Sequence, residues 1–468
     1  MTGLSKSAIE ALKWVQLCGT IAALVLAPLF FGSVDRVWIA IWAMLLSIST
    51  FCGVAEQPGT AQRGVLAGFL AVCAAYAVVA IVQVAPHLIE ALDDPIWQRV
   101  NSLLGLGALP RISTRAEIPP EALGRFLLLV TSLASGFFAA TSRRNSDLLV
   151  SFAQSAILLY AIYGILALAL TPSLLLWSPK VAYRGFLTAT FVNHNTAATL
   201  VGAGAILWFC SAGLSLQSLR ISSIRLLLLL PSSERVAFEL ILRSGAGLVC
   251  FFALLFTGSR GGLICASLGL LTAIGLMIAN RLKTRLWYIL GSGVVALVLV
   301  VIWLGQTSSI GTRGLFDDGR WSVYGLCIDA IRQRPLLGSG IGTFADIFPS
   351  LRSTDLSSWG VWEYAHSTIV EIAVEMGLPI AAIVILAAVV SFLILARAAL
   401  RSQGRSRSAL SAIAGIAVLS YLHSLIDFSL QIPGYLIVFG ILLGCGLARA
   451  SAESAPDKER SPLSANAA

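Results

Sequence analysis

A chain of 468 residues that is 57% hydrophobic and 12% charged, with mean hydropathy +0.87, lacks the makeup of a soluble domain, in which about a quarter of residues are charged. Its apolar residues form continuous runs and not the short alternating segments of a transmembrane β-barrel, which reads as an all-α polytopic membrane protein. The net charge of +9 lies mostly between those runs, so membrane topology accounts for it and no nucleic-acid partner is expected.

The runs predict about twelve transmembrane helices, near 14–31, 36–54, 64–85, 124–141, 147–170, 194–212, 240–257, 261–280, 286–305, 366–396, 409–427 and 432–449. Lys6 and Lys13 precede the first run and no small-residue cleavage site follows it, so it reads as a retained helix. Short basic connections at Arg143-Arg144, Arg281/Lys283/Arg285 and Arg397/Arg401/Arg405/Arg407 alternate with connections poor in Lys and Arg. Placing the basic ones in the cytoplasm puts both termini there and leaves 86–123, 171–193 and 306–365 outside. His87, His194, His366 and His423 then all fall at or near the outer face. The segment 213–239 reads as an inner connector with amphipathic character, and 450–468 as a disordered cytoplasmic tail. Seven of the eight cysteines lie in apolar runs and none forms a CxxC pair, so neither a zinc site nor a disulfide framework is expected.

Chemistry concentrates in a few interruptions of this pattern. Arg184-Gly185-Phe186 and Asn193-His194-Asn195 lead into the sixth span, where the two amides either cap the helix or bind a glycan. Gly258-Ser259-Arg260-Gly261-Gly262 links two spans; an Arg so near the hydrocarbon either snorkels to headgroups or holds an anion. Its planar guanidinium suits phosphate oxygens. Arg320-Trp321 with Tyr324 suits a phosphate and a stacked sugar, or equally an interfacial aromatic belt. Asp317-Asp318-Gly319 reads as a solvated turn, and no metal is assigned. His366 precedes Glu371 and Glu375, which share one helix face, and imidazole is the side chain best matched to proton transfer near neutral pH. His423 and Asp427 close a later span, where Asp427 orients a partner or caps a helix.

In order and spacing, Phe191-Val192-Asn193-His194-Asn195, Ser259-Arg260-Gly261-Gly262, Arg320-Trp321, Pro335-Leu336-Leu337-Gly338-Ser339-Gly340, His366-Ser367, Glu375-Met376-Gly377-Leu378 and His423-Ser424-Leu425-Ile426-Asp427 resemble the O-antigen ligase and polysaccharide polymerase superfamily. The resemblance covers about 185–435; residues 1–180 match only as membrane spans. It implies a GT-C-like glycosyltransferase with N-terminal helices over 1–180, a ligase-like membrane domain over 181–449 and a large periplasmic loop, 306–365, between spans nine and ten. It further implies an undecaprenyl-pyrophosphate-linked glycan donor, a lipid A-core or polysaccharide acceptor, and inverting transfer in the bacterial inner membrane without a cofactor. Carried over by motif, Arg260 and Arg320 hold the pyrophosphate and His366 is the base, with Arg184, Asn193, Asn195, Trp321 and Tyr324 as substrate contacts. Pro379-Ile380 departs from the small residues common after the Glu-Xaa-Gly-Leu motif. The competing class is a secondary transporter or flippase of a lipid-linked anionic glycan, which would place polar relays and broken helices at mid-membrane. Here the polar residues collect at the outer ends of the spans.

Overall fold

A computed structural model of the chain describes residues 5–218, 231–279, 318–352 and 362–453. Its helices are α1 (Lys6–Leu26), α2 (Arg36–Gly53), α3 (Thr60–Val84), α4 (Ile96–Leu104), α5 (Pro120–Ala139), α6 (Arg143–Leu170), α7 (His194–Ser218), α8 (Pro231–Phe256), α9 (Arg260–Ile278), α10 (Asp318–Gln333), α11 (Phe344–Leu351), α12 (Thr368–Met376), α13 (Leu378–Arg401), α14 (Gly404–His423) and α15 (Pro433–Glu453). A two-residue hairpin, β1 (Leu174–Leu175) with β2 (Ser178–Pro179), lies between α6 and α7. Among the described residues ten helices are long and apolar enough to cross a membrane: α1 to α3, α5 to α9, α13 and α15. The twenty-residue α14 is less apolar, because it opens on Gly404-Arg405-Ser406-Arg407-Ser408, yet most of it is buried among the other helices.

The expected span 286–305 lies outside the described residues. The expected single span 366–396 is instead two helices. Gly377 sits between them at φ +83°, where any larger residue would overlap the Leu336 carbonyl, and the chain turns there. Pro379 falls in the first turn of α13, where its missing N–H costs no helical bond. The nine-residue α12 is too short to cross a bilayer. Inside the expected connector 213–239, α7 continues to Ser218 and α8 already begins at Pro231. The span expected at 409–427 ends as a helix at His423.

The middle of the bundle is α15, 94% of whose membrane window is buried. Small residues let it approach α5: a methyl group at Gly136, Gly440 or Gly444 would overlap the Ile441 carbonyl, the Ser132 hydroxyl or the Leu133 carbonyl respectively. That is how helices associate in lipid, where close backbone approach replaces the hydrophobic drive available in water. Gly269 of α9 and Gly415 of α14 meet in the same way.

Helix directions sort the polar ends to two faces. Glu56 pairs with Lys13 and Thr141, Arg143 pairs with Glu453, and Arg449 pairs with Asp147, all on one face. The ends of α3, α6, α8 and α14 and the starts of α5, α7, α9, α12, α13 and α15 lie at the other. Among the described residues, Arg184, Asn193, His194, Asn195, Arg260, Tyr324, His366, His423 and Asp427 sit at this second face.

Candidate functional site

Four helix ends are joined there by a buried polar network. Asn193 precedes α7 and its side-chain oxygen accepts the Asn195 backbone N–H at 2.8 Å, a local cap. The Asn195 amide donates to the Asp427 carboxylate at 2.9 Å, and the Ser429 hydroxyl donates to the other carboxylate oxygen. Thr199, one turn into α7, meets His423 Nδ1 at 2.7 Å and the Ser429 hydroxyl at 3.1 Å. Asp427 and Thr199 are fully buried, so this network is a fixed part of the scaffold. Gly261 places the first turn of α9 on the same network, since a methyl group there would reach His423 Nε2 at 3.5 Å. From the opposite side the start of α12 attaches by Thr368 N–H to the Ser424 carbonyl at 2.8 Å and the Thr368 hydroxyl to the Asp427 carbonyl at 3.3 Å.

His366 lies two residues before that attachment, half-buried, with φ +57°. Left-handed backbone is uncommon for a residue with a side chain and persists when its surroundings enforce it. Here the enforcement is visible. Ser367 caps α12, the Tyr324 hydroxyl donates to the His366 carbonyl at 2.9 Å, and the imidazole lies edge-on between Trp362 and Phe428, each 5.1 Å away. Nδ1 is 3.1 Å from the Tyr364 carbonyl, which can only accept. In the neutral ring this contact places the proton on Nδ1, which makes Nε2 the basic nitrogen.

Two acids brace this loop from beneath. Glu371 accepts the Ala365 N–H at 2.8 Å, one residue before His366. Glu375 accepts the N–H groups of Gly342 and Phe344, both at 2.9 Å, and so holds the start of α11. Burial, and then Glu375 beside it, push the Glu371 carboxyl up to about 8; burial raises Glu375 as well. The Pro335–Gly342 run winds against α12: Ser339 and Gly340 donate to the Val374 and Glu375 carbonyls, each at 3.0 Å, and Leu378 N–H donates back to Pro335 at 2.8 Å. Gly338, at φ +62°, leaves no room for a Cβ beside the Glu375 backbone. The run is thus a structural clasp.

Across the network, Ser259 caps α9 by accepting the Gly262 N–H at 3.1 Å, which sets Arg260 in the first helical turn, half-buried. Beside it Gly258 (φ +67°) lies against the ring of Phe186. His194 Nδ1 donates to the Thr257 carbonyl at 2.7 Å, and its ring stacks on Tyr183 with centroids 4.2 Å apart. Lys180 is buried and donates to the Phe186 carbonyl at 3.0 Å; burial lowers its pKa. Arg184, exposed, donates through Nε to the Lys180 carbonyl at 3.1 Å.

Of the residues expected at the site, His366, Arg260, Asn193, Asn195, Tyr324 and Arg184 therefore gather at one face around a shared scaffold. The amides of Asn193 and Asn195 engage the protein itself, as caps and tethers. Trp321 is 58% exposed and meets Tyr324 edge-on at 5.8 Å. The backbone of Arg320 belongs to α10, and its side chain lies outside the described residues.

Three residues are missing from the sequence-based set. Arg125, in the second turn of α5, places its guanidinium 5.6 Å from the centre of the Tyr364 ring and 3.4 Å from its hydroxyl, while Tyr364 stacks on Phe428 at 4.4 Å. An Arg inside an apolar run was a usable signal. Gln83 closes α3 fully buried, donates to the Leu337 and Glu375 carbonyls and accepts the Ile341 N–H at 3.1 Å. Thr199 carried no sequence signal beyond being a polar residue within a span.

Residues 245–385 match the O-antigen ligase family. This match supports the O-antigen ligase superfamily, and with it a multi-pass membrane enzyme of glycan assembly. The matched stretch holds Arg260, Arg320, His366, Glu371 and Glu375. No curated protein matches the chain.

Proposed function

We propose, from the O-antigen ligase match over 245–385 and the convergence of its polar residues at one membrane face, that the chain is an inverting glycosyltransferase. It moves a glycan from undecaprenyl pyrophosphate to an acceptor hydroxyl at the periplasmic face of the bacterial inner membrane, as an O-antigen ligase or a polysaccharide polymerase. Its acceptor is lipid A-core in the first case and another lipid-linked glycan in the second. Both termini face the cytoplasm.

The observation that carries this reading is the common anchorage of the His366 loop and the Arg260 helix start, on opposite sides of the His423–Thr199–Asn195–Asp427 network. In the proposed step His366 Nε2 takes the proton of the acceptor hydroxyl. The acceptor oxygen attacks the anomeric carbon opposite the pyrophosphate, and the anomeric C–O bond breaks as its electron pair passes to the leaving group. Arg260 and Arg320 receive that developing charge, a stabilisation of several kcal/mol in a water-poor site. One positioned base adds about 10²–10⁴-fold. Trp321 and Tyr324 offer aromatic faces to the sugar, and the Tyr324 hydroxyl steadies the His366 backbone. Arg125 acts at one remove, positioning Tyr364 and thereby Phe428 and His366. In the proposed step the two guanidiniums take the place of a metal in neutralising the departing pyrophosphate.

His366→Ala and Arg260→Ala chains, expressed at the normal level, should abolish surface polysaccharide while lipid-linked precursor accumulates outside. Full-length polysaccharide persisting in both variants would overturn the assignment. In a deletion strain, long lipid-linked chains absent from lipid A-core indicate a ligase, and single repeat units indicate a polymerase.

A further inference from the structure

Between α3 and α5 the chain carries an exposed apolar surface that the proposed reaction does not use. In α4, Ile96, Val100, Leu103 and Leu104 recur at helical spacing and form one stripe. Leu103 is 75% and Leu104 66% exposed, and the turn that follows adds Leu106, also 66% exposed. One flank of the helix, beside Leu104, is turned inward. Trp97 is buried and donates to the Ser113 carbonyl at 2.9 Å, and Asn101 locks the following turn by bonding both the N–H and the carbonyl of Ala108 at 2.7 Å. Gln98, Arg99 and Ser102 occupy the remaining, polar face and are exposed.

The height of α4 is set by its anchors. Ser113, which receives Trp97, donates its own N–H to the Gln83 carbonyl at 2.8 Å. Gln83 lies in the last turn of α3, whose membrane window is only 6% buried and is therefore surrounded mostly by lipid. The stripe thus lies at the level where α3, the helix most exposed to lipid, leaves the hydrocarbon. A short helix with an apolar stripe, an Arg at its edge and a polar opposite face is built to lie in the headgroup region.

We propose that α4 is an interfacial helix that lies in the outer boundary of the bilayer on its Ile96–Val100–Leu103–Leu104 stripe. The segments on either side of the helix reach the site: Asp94 pairs with Arg334, Thr114 N–H donates to the Ser339 carbonyl at 2.9 Å, and Arg115 pairs with Asp346. The helix therefore braces the clasp beneath Glu375 against the membrane surface.

The test uses the full chain with Cys18→Ser and Cys73→Ser, carrying a nitroxide on Leu103→Cys or on Ser102→Cys, in nanodiscs of phosphatidylethanolamine and phosphatidylglycerol. Power-saturation EPR should give a depth parameter favouring oxygen at position 103 and favouring a water-soluble nickel chelate at position 102. Adding Leu104→Glu should shift the position-103 label towards the nickel-accessible, aqueous side. Equal nickel access at both positions would overturn the proposal. So would shielding of the 103 label from oxygen and nickel alike, which would mean that protein covers the stripe.

Discussion

Helices α3 and α15 look alike as sequence and are held by opposite means. The window of α3 has the higher hydropathy, 2.6 against 1.7, yet only 6% of it is buried against 94% for α15. In water the more apolar helix would be the core; in lipid, contact between backbones decides, and small residues mark it. Gly440, Gly444 and Gly446 of α15 lie against neighbouring helices and Gly434 against the turn after α1, whereas Gly64 and Gly68 of α3 have nothing within 4 Å of a would-be Cβ. What holds α3 is a narrow apolar seam, where Tyr76 stacks on Phe126 and Ala80 packs with Ala122, Met376 and Ile380, together with amides near its two ends. Gln62 donates to the Ala448 carbonyl at 3.1 Å, and Gln83 makes three hydrogen bonds to the clasp and α12. One helix is packed on nearly all sides along its length; the other rests on a narrow seam and is tied by amides near its ends. Only the second arrangement reaches the site.

The comparison breaks most severely at Gly444. A Gly444→Leu side chain would have to displace the α5 backbone at Leu133. Adding one methylene to a packed core costs about 1–3 kcal/mol, and a clash with backbone exceeds that range. The expected outcome is failure to accumulate as a monodisperse species in size-exclusion chromatography. Gln83→Leu should act differently. It leaves the Leu337 carbonyl and the Ile341 N–H without their Gln83 partner, at about 1–3 kcal/mol for each buried group that finds no other. The damage falls on the clasp rather than on the bundle. Polysaccharide output should fall by at least about tenfold, one 1.4 kcal/mol step, while the chain remains monodisperse. If Gln83→Leu aggregates as Gly444→Leu does, the two modes of attachment are not separate.

A smaller effect follows from the acids that the clasp covers. The Glu371 carboxyl is raised from 4.5 to about 8, first by burial and then by Glu375, so the folded chain holds this proton where the unfolded chain releases it. By linkage, stability contributed here is present below about pH 4.5 and is lost progressively as pH rises towards 8. Melting temperature in detergent should decline across that window, and Glu371→Gln should flatten the decline. An unchanged slope in Glu371→Gln would assign the pH response to another group.

The sequence made the spans legible because continuous apolar runs are the direct signature of a bilayer crossing. Arg260 and His366 were legible because charge and imidazole stand out against that background. The break at Gly377 was not, since apolar residues continue through Gly377-Leu378-Pro379-Ile380 and only a backbone angle divides them. The scaffold beneath the site was equally hidden. Asn195 and Asp427 bond across 232 positions of chain, and no local pattern announces such a pair. Glu371 and Glu375 did read as a shared helix face, but their service to two different loops depends on where those loops return.

The smallest expected effect tests the lipid-facing half of the comparison. Gly68 lies in the first half of α3 with nothing within 4 Å of its would-be Cβ. Gly68→Leu adds apolar surface that meets only lipid tails and creates no overlap. Its change in stability should stay within about ±0.5 kcal/mol, the usual range for substitutions away from packed contacts. Thermal unfolding and polysaccharide output should both match the parent chain. A clear loss in either would show that the bare flank of α3 is covered in the cell.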